Sequence, residues 1–210
     1  MRSVTRNSVV FFGLSIILLM STFWVSDSEM FEEVAFGSKR PTAKLVWNGI
    51  PRVVVCEFSP VSEARVERAL NIWSRYGYKF LGPVYNDTSP VCLGDAYLGV
   101  ITISLNGQDF PEGKLAVTRT YFSNDEHLIY GAKIQIRETA SQKERVLEHE
   151  IGHALGWNHF ARRYHMMHPN WDIGGWDMTG LNYREQVNMI QQLPVSTSNL
   201  NNHQIIEQME

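Results

Sequence analysis

Several scarcities narrow this 210-residue chain before any motif is read. Positive charge is not in excess: 19 Lys and Arg stand against 22 Asp and Glu, a formal net charge of −3. With no basic stripe either, nucleic acid is excluded as a partner. Cysteine is nearly absent. Cys56 and Cys92 are the whole supply, and neither lies near the apolar N-terminal run, so a lipid anchor there has no support. No internal repeat is found, which sets aside solenoids and arrays.

What is present suits one ordinary domain. Hydrophobic residues make up 44% and charged residues 20% of the chain, enough for a packed core. The first residues differ from the rest. Arg2 and Arg6 precede an apolar run over 9–25, and Asp27, Glu29, Glu32 and Glu33 follow it. A basic flank, an apolar stretch and an acidic far side read as an export signal. At 17 residues the run sits between a signal core and a membrane span, and no A-x-A site follows it. Residues 1–28 are therefore a signal peptide or a signal anchor. The remainder is expected outside the cytoplasm, either membrane-anchored or secreted or periplasmic. In an oxidising compartment Cys56 and Cys92 could form one disulfide.

Residues 29–43 read as a linker, 44–193 as the domain and 194–210 as a loose polar tail. Within the domain, 45–47 and 52–58 look extended, with Val53, Val54 and Val55 β-branched. Ser59-Pro60 is a plausible helix start, followed by Val66, Ala69, Leu70, Trp73 and Tyr76 at helical spacing, with Gly77 as stop. Further strands are expected over 97–105 and 115–122. Over 132–137, Ala132, Ile134 and Ile136 alternate with Lys133, Gln135 and Arg137. A last helix is expected over 179–192.

Residues 145–160 read RVLEHEIGHALGWNHF, which contains H-E-x-x-H-x-x-G-x-x-H with every specified position filled. The pattern fixes five positions, three of them histidine in a chain with 7. A helix is expected beneath it, with Ser141 and Glu144 as capping box, Thr139 with Gln142 as a second register, and Leu147, Ile151, Ala154 and Leu155 as a buried apolar arc. His149 and His153 lie one turn apart, so both imidazoles share a face and can bind one Zn2+. Glu150 can reach a water in the open coordination position. Gly156 tolerates a left-handed backbone, so the chain can turn and return His159 as third ligand. Three protein ligands leave a fourth position for water, as a catalytic zinc requires. His165 and His168 read as loop histidines, and His127 and His203 stand apart from the motif.

The extended motif resembles that of the metzincin metallopeptidases, and its details are similar to the matrixin branch. Met167-His168-Pro169, eight residues after His159, resembles the Met-turn of that clan, making Met167 the base methionine and Met166 the alternative. Asp177-Met178-Thr179-Gly180-Leu181 resembles the matrixin D-I-x-G-I signature before the last helix. Ala69, Trp73 and Phe80 sit as in the first matrixin helix and the strand after it.

The resemblance implies an α+β, zincin-like fold for 44–193. It would have a twisted mixed sheet of about five strands, two long helices and a short lower subdomain with a C-terminal helix. It implies a zinc endopeptidase with one catalytic ion, Glu150 as general base and a protein or peptide as substrate. The substrate would lie extended along an edge strand, for which 115–120 is the candidate, with side-chain preference set around 171–176. Positions 106–126 hold no histidine, so the structural zinc and calcium of matrixins are not expected. Trp176 replaces an aspartate before the last helix, so the matrixin N-terminal salt bridge is not expected either. The alternative is a zinc-binding module without proteolytic activity, membrane-tethered through an uncleaved N-terminus. A zinc closed by a fourth ligand, with Asp172 and Asp177 as candidates, would favour it.

Overall fold

Val53, Val54 and Val55 are buried on successive sides of one strand, the pattern of a parallel strand covered on both faces. The sheet built around them is seen in a computed structural model, which describes residues 39–94, 97–107, 110–123 and 127–193 and the backbone of 203–209. The chain divides into two units, 1–37 and Ser38–Glu210, and all described residues belong to the second. Residues 1–28, expected to be a signal peptide or anchor, and most of the expected linker lie outside the described residues. Among the described residues no helix is long and apolar enough to cross a membrane.

In chain order the elements are β1 (Val46–Trp47), β2 (Arg52–Cys56), α1 (Glu63–Arg75), β3 (Leu81–Asp87), α2 (Pro90–Leu93), β4 (Val100–Leu105), β5 (Ala116–Ser123), β6 (Leu128–Ile136), α3 (Val146–Ala154), α4 (Tyr183–Gln191) and β7 (His203–Met209). The fold is mixed, with a mostly parallel sheet in the order β3-β2-β4-β6-β5-β7, and β1 also pairs with β6. β5 runs antiparallel to β6, and β7 antiparallel to β5. Among the described residues the sheet has seven strands, against the five or so expected. β3 and β7 were not legible in composition, the first because Gly82 and Pro83 interrupt it, the second because its flank is rich in Asn and Ser.

Helices α1, α3 and α4 all begin later than the sequence suggests. Ser59-Pro60 does not open α1. The Ser59 N–H returns to the Cys56 carbonyl at 3.0 Å and Phe58 is left-handed, closing a turn after β2, and the helix starts behind Ser62. Its face of Val66, Ala69, Leu70 and Trp73 is buried as expected. Ser141 and Glu144 do not cap α3. The Ser141 hydroxyl donates to the Glu138 carbonyl at 2.7 Å and Arg145 is left-handed, so the helix begins at Val146. Asn182 caps α4 by accepting from the Glu185 N–H at 2.9 Å, which moves that helix start from 179 to 183.

The alternation over β6 holds for Ala132, Ile134 and Ile136, all buried. The other side is not simply wet, because Gln135 is buried as well. Cys56 and Cys92 are joined in a disulfide with Cα atoms 5.6 Å apart, tying β2 to α2.

Candidate metal centre

Helix α3 is only nine residues long and is enclosed on all sides, so its position depends on what holds its carbonyls. Five side chains from four other elements meet them. Trp73 of α1 donates its indole N–H to the Glu148 carbonyl at 2.8 Å. The Thr118 hydroxyl of β5, whose one proton goes to the Glu150 carboxylate, lies 3.2 Å from the Glu150 carbonyl, and Thr120 donates to the His153 carbonyl at 3.4 Å. Trp47 of β1 donates to the Ala154 carbonyl at 2.8 Å, and Gln186 of α4 to the Leu155 carbonyl at 2.6 Å. The last three carbonyls are among those a helix end leaves without intrahelical donors. Buried polar groups need such partners, and here satisfying them also fixes the helix that carries the motif.

Gln186 is itself fully buried and fully used. Its second N–H contact goes to the Leu45 carbonyl at 2.7 Å, and its side-chain oxygen accepts from the Tyr78 hydroxyl at 2.8 Å. Tyr78 in turn accepts from the Trp157 indole at 2.7 Å, and burial pushes its phenol well above the usual range. Glu148, also buried, is paired with Arg68 at 2.9 Å. Arg68 lies against the Trp176 ring as well, 5.6 Å from its centroid, so the tryptophan that replaces a matrixin aspartate still meets a cation.

After α3 the chain turns as Gly156 was expected to allow. Gly156 has φ +100°, its N–H reaches the His153 carbonyl at 2.9 Å, and the Trp157 N–H reaches the Gly152 carbonyl at 3.0 Å. This pair of bonds is a Schellman cap. A Cβ on Gly156 would also lie 2.6 Å from the Leu45 carbonyl oxygen, so both conformation and space select glycine.

The turn brings His159 back to His149 and His153, and the candidate metal-ligating atoms of the three lie within 4.8 Å of one another. The Nε2 atoms of His153 and His159 are 3.1 Å apart. Tetrahedral ligands about 2.0–2.1 Å from a zinc ion are separated by about 3.3 Å, so the spacing fits. Tautomers fit as well. His149 Nδ1 meets the Met166 carbonyl at 2.8 Å and His153 Nδ1 meets the Trp157 carbonyl at 2.7 Å. A carbonyl only accepts, so each Nδ1 carries the proton and each Nε2 lone pair faces the cluster. Burial, then the neighbouring His159, holds His149 down to about 3, and burial, then Lys114 and His168, holds His159 down to about 4. Burial pushes His153 down too. Three neutral imidazoles are the donor set zinc takes. The histidine cluster contains neither Asp172 nor Asp177, and Asp177 instead accepts from Thr179 and pairs with Arg162 at 3.5 Å.

Below the helix, the His168 N–H reaches the His165 carbonyl at 3.2 Å, closing a tight turn over 165–168. Met167 is buried and its sulfur and methyl group pack on Gly152, while Met166 supplies the carbonyl that orients His149. Met167 thus lies directly beneath the motif helix, and Met166 meets that helix through its carbonyl alone. His165 is more than a loop residue: it is buried, accepts the Met167 N–H through Nδ1 at 3.1 Å, and reaches the Thr179 carbonyl through Nε2 at 3.1 Å.

Residues 103–193 match the family model of the matrixins. Over that stretch the chain is similar to the matrixins. The matched stretch runs from within β4 to just past α4, taking in α3, its three histidines and the Met167 turn, and it leaves β7 outside. No curated protein matches the chain. The matrixin match and the histidine cluster together point to zinc binding and a metallopeptidase-type function.

Sequence reading missed Thr118, Thr120 and Arg68. The threonines alternate with Val117 and Arg119, a period-two signal that marks one face of a strand, but nothing in the sequence says that this face meets Glu150. The cavity of about 340 Å³ lined by Trp47, Ile50, Tyr78, Leu155, Tyr183 and Gln186 contains none of the three histidines and not Glu150.

Proposed function

We propose that the chain is a zinc-dependent endopeptidase in which His149, His153 and His159 hold the metal and Glu150 is the general base. The observation that supports it most is the convergence of three neutral imidazoles on a helix whose Glu150 side chain is buried and hydrogen-bonded to Thr118. Zinc held by these residues would polarise the scissile carbonyl and lower the pKa of a bound water towards about 7.

The residues of the chain do the rest. Glu150 takes a proton from the attacking water as the water oxygen adds to the carbonyl carbon. It then delivers that proton to the amine nitrogen as the C–N bond breaks. Thr118 fixes the orientation of the Glu150 carboxylate through Oε2. The Met166 and Trp157 carbonyls keep the imidazoles of His149 and His153 aimed inward. No covalent intermediate with the protein is required.

The Cys56–Cys92 disulfide is in keeping with export directed by residues 1–28. A protein or peptide substrate follows from the reaction class.

The test is cleavage of an unstructured protein at saturating concentration, with and without a zinc chelator. Cleavage that stops with the chelator and returns on adding zinc supports the reading. Cleavage indifferent to the chelator, or a protein that takes up no zinc, contradicts it.

A further inference from the structure

Strand β5 is the wall of the metal centre. Its Thr118 and Thr120 hydroxyls bond to Glu150 and His153 of the motif helix, so one face of the strand is committed to α3. One of its edges is taken by β6 over eight residue pairs. The other edge is the place where an extended peptide could add a strand beside the histidines. The sequence reading expected that edge, over 115–120, to be open.

It is not open. β7 pairs with it in unbroken antiparallel register, from Ser123 opposite His203 to Val117 opposite Met209. The pairing spans Thr118 and Thr120, the two residues that touch the motif helix. β7 lies beyond the stretch that matches the matrixin model. It is joined to α4 through residues 192–202, a connection short enough to keep the strand at an effective concentration in the millimolar range.

We propose that His203–Met209 is a built-in competitor that occupies the substrate edge of β5 and keeps the enzyme latent until the strand is displaced. The inference rests on the endopeptidase reading above. Backbone pairing supplies most of the affinity in strand addition, so the resident strand and an extended substrate compete for the same β5 N–H and carbonyl groups. A substrate present at micromolar levels competes poorly with a millimolar resident. The block is on binding and not on chemistry, because β7 pairs with β5 and replaces none of the motif residues. Anything that captures or cuts the tail would release activity.

Paired proline substitutions test this in the full chain. In an antiparallel strand successive N–H groups point to opposite edges, so Ile205→Pro with Ile206→Pro removes a donor facing β5 whichever residue carries it. Two readouts are taken, with zinc content and thermal midpoint as checks on folding. One is hydrogen exchange of the alternate β5 amides within 117–123 that face β7, which requires no activity. The other is the split between KM and kcat on an unstructured substrate. The proposal expects β5 amides that are protected in the parent and exchange at least tenfold faster in the variant, with KM falling about tenfold or more and kcat unchanged. The milder Ile205→Gly variant should shift both in the same direction by less.

Unprotected β5 amides in the parent would overturn the proposal, because the strand would not be resident. Faster exchange with unchanged KM would overturn it too, because the strand would not lie on the substrate path. Faster exchange with no cleavage by either protein would instead sink the endopeptidase reading, and the latency with it.

Discussion

The hydroxyl of Thr118, on strand β5, donates a hydrogen bond to the carboxylate of Glu150, on helix α3. The same hydroxyl also contacts the Glu150 carbonyl, so one short side chain fixes both the helix and the group it presents. Because Glu150 is fully buried, its carboxylate relies on such protein contacts for its orientation.

Removing that hydroxyl should therefore affect rate more than metal binding. Thr118→Val keeps the shape of the side chain and should lower kcat about tenfold, the equivalent of one hydrogen bond to a charged group. Zinc affinity should stay unchanged, and Thr118→Ser should recover most of the rate. A kcat equal to the parent in the valine variant would show that the contact has no part in orienting the base.

Packing beneath the helix is equally specific. A Cβ on Gly152 would lie 2.8 Å from Cζ2 of Trp73 and 2.9 Å from Cε of Met167. Gly152→Ala should therefore destabilise the protein by about 1–3 kcal/mol, the usual cost of overfilling a packed core. Thermal or urea unfolding measures this. A variant as stable as the parent would mean that Met167 yields freely.

The Cys56–Cys92 bridge closes a loop across 36 positions of sequence. By loop-closure entropy its loss should cost about 3–4 kcal/mol. Cys56→Ser with Cys92→Ser should lower the urea midpoint accordingly while leaving zinc stoichiometry unchanged. Loss of zinc binding in a folded double variant would show that the bridge also shapes the metal centre.

His165 should make stability depend on pH. Burial, aided by Arg162 and His168, holds its imidazole below the usual histidine value, against the opposing pull of the Thr179 carbonyl and Asp177. Below about pH 6.5 the unfolded chain takes up a proton that the folded chain refuses. Stability must therefore fall as pH drops through 6.5, and level off only below the lowered folded value. Protonation would also set a proton on Nδ1 against the Met167 N–H. Zinc-saturated protein followed from pH 7.5 to 5.5 should lose more stability than its His165→Gln counterpart. Equal slopes would remove His165 from the account.

The metal centre was largely legible because its determinants are local. The spacing of His149, Glu150, His153, Gly156 and His159 specifies a helix and a left-handed exit within eleven residues, and Met167 follows closely behind. Glu150 to Thr118 is a separation of 32 positions, and Glu148 to Arg68 one of 80. Pairings at such distances are set by how strands and helices stack, which no single stretch of sequence encodes. Helix starts were misplaced for a different reason. At Ser59 and Ser141 the residues that favour a cap were drawn into neighbouring turns, a competition among short-range hydrogen bonds that the dipeptide alone does not decide. β7 was hidden by the polar composition of its flank, although Ile205 and Ile206 stand in the middle of it.

The most direct measurement is zinc content and cleavage rate of Glu150→Ala beside the parent, both at saturating substrate. The variant should bind zinc as the parent does and cleave about a hundredfold more slowly or worse, the usual share of a general base. Cleavage at the parental rate with zinc still bound would contradict it, and Glu150 would then be a structural residue of a centre that works another way.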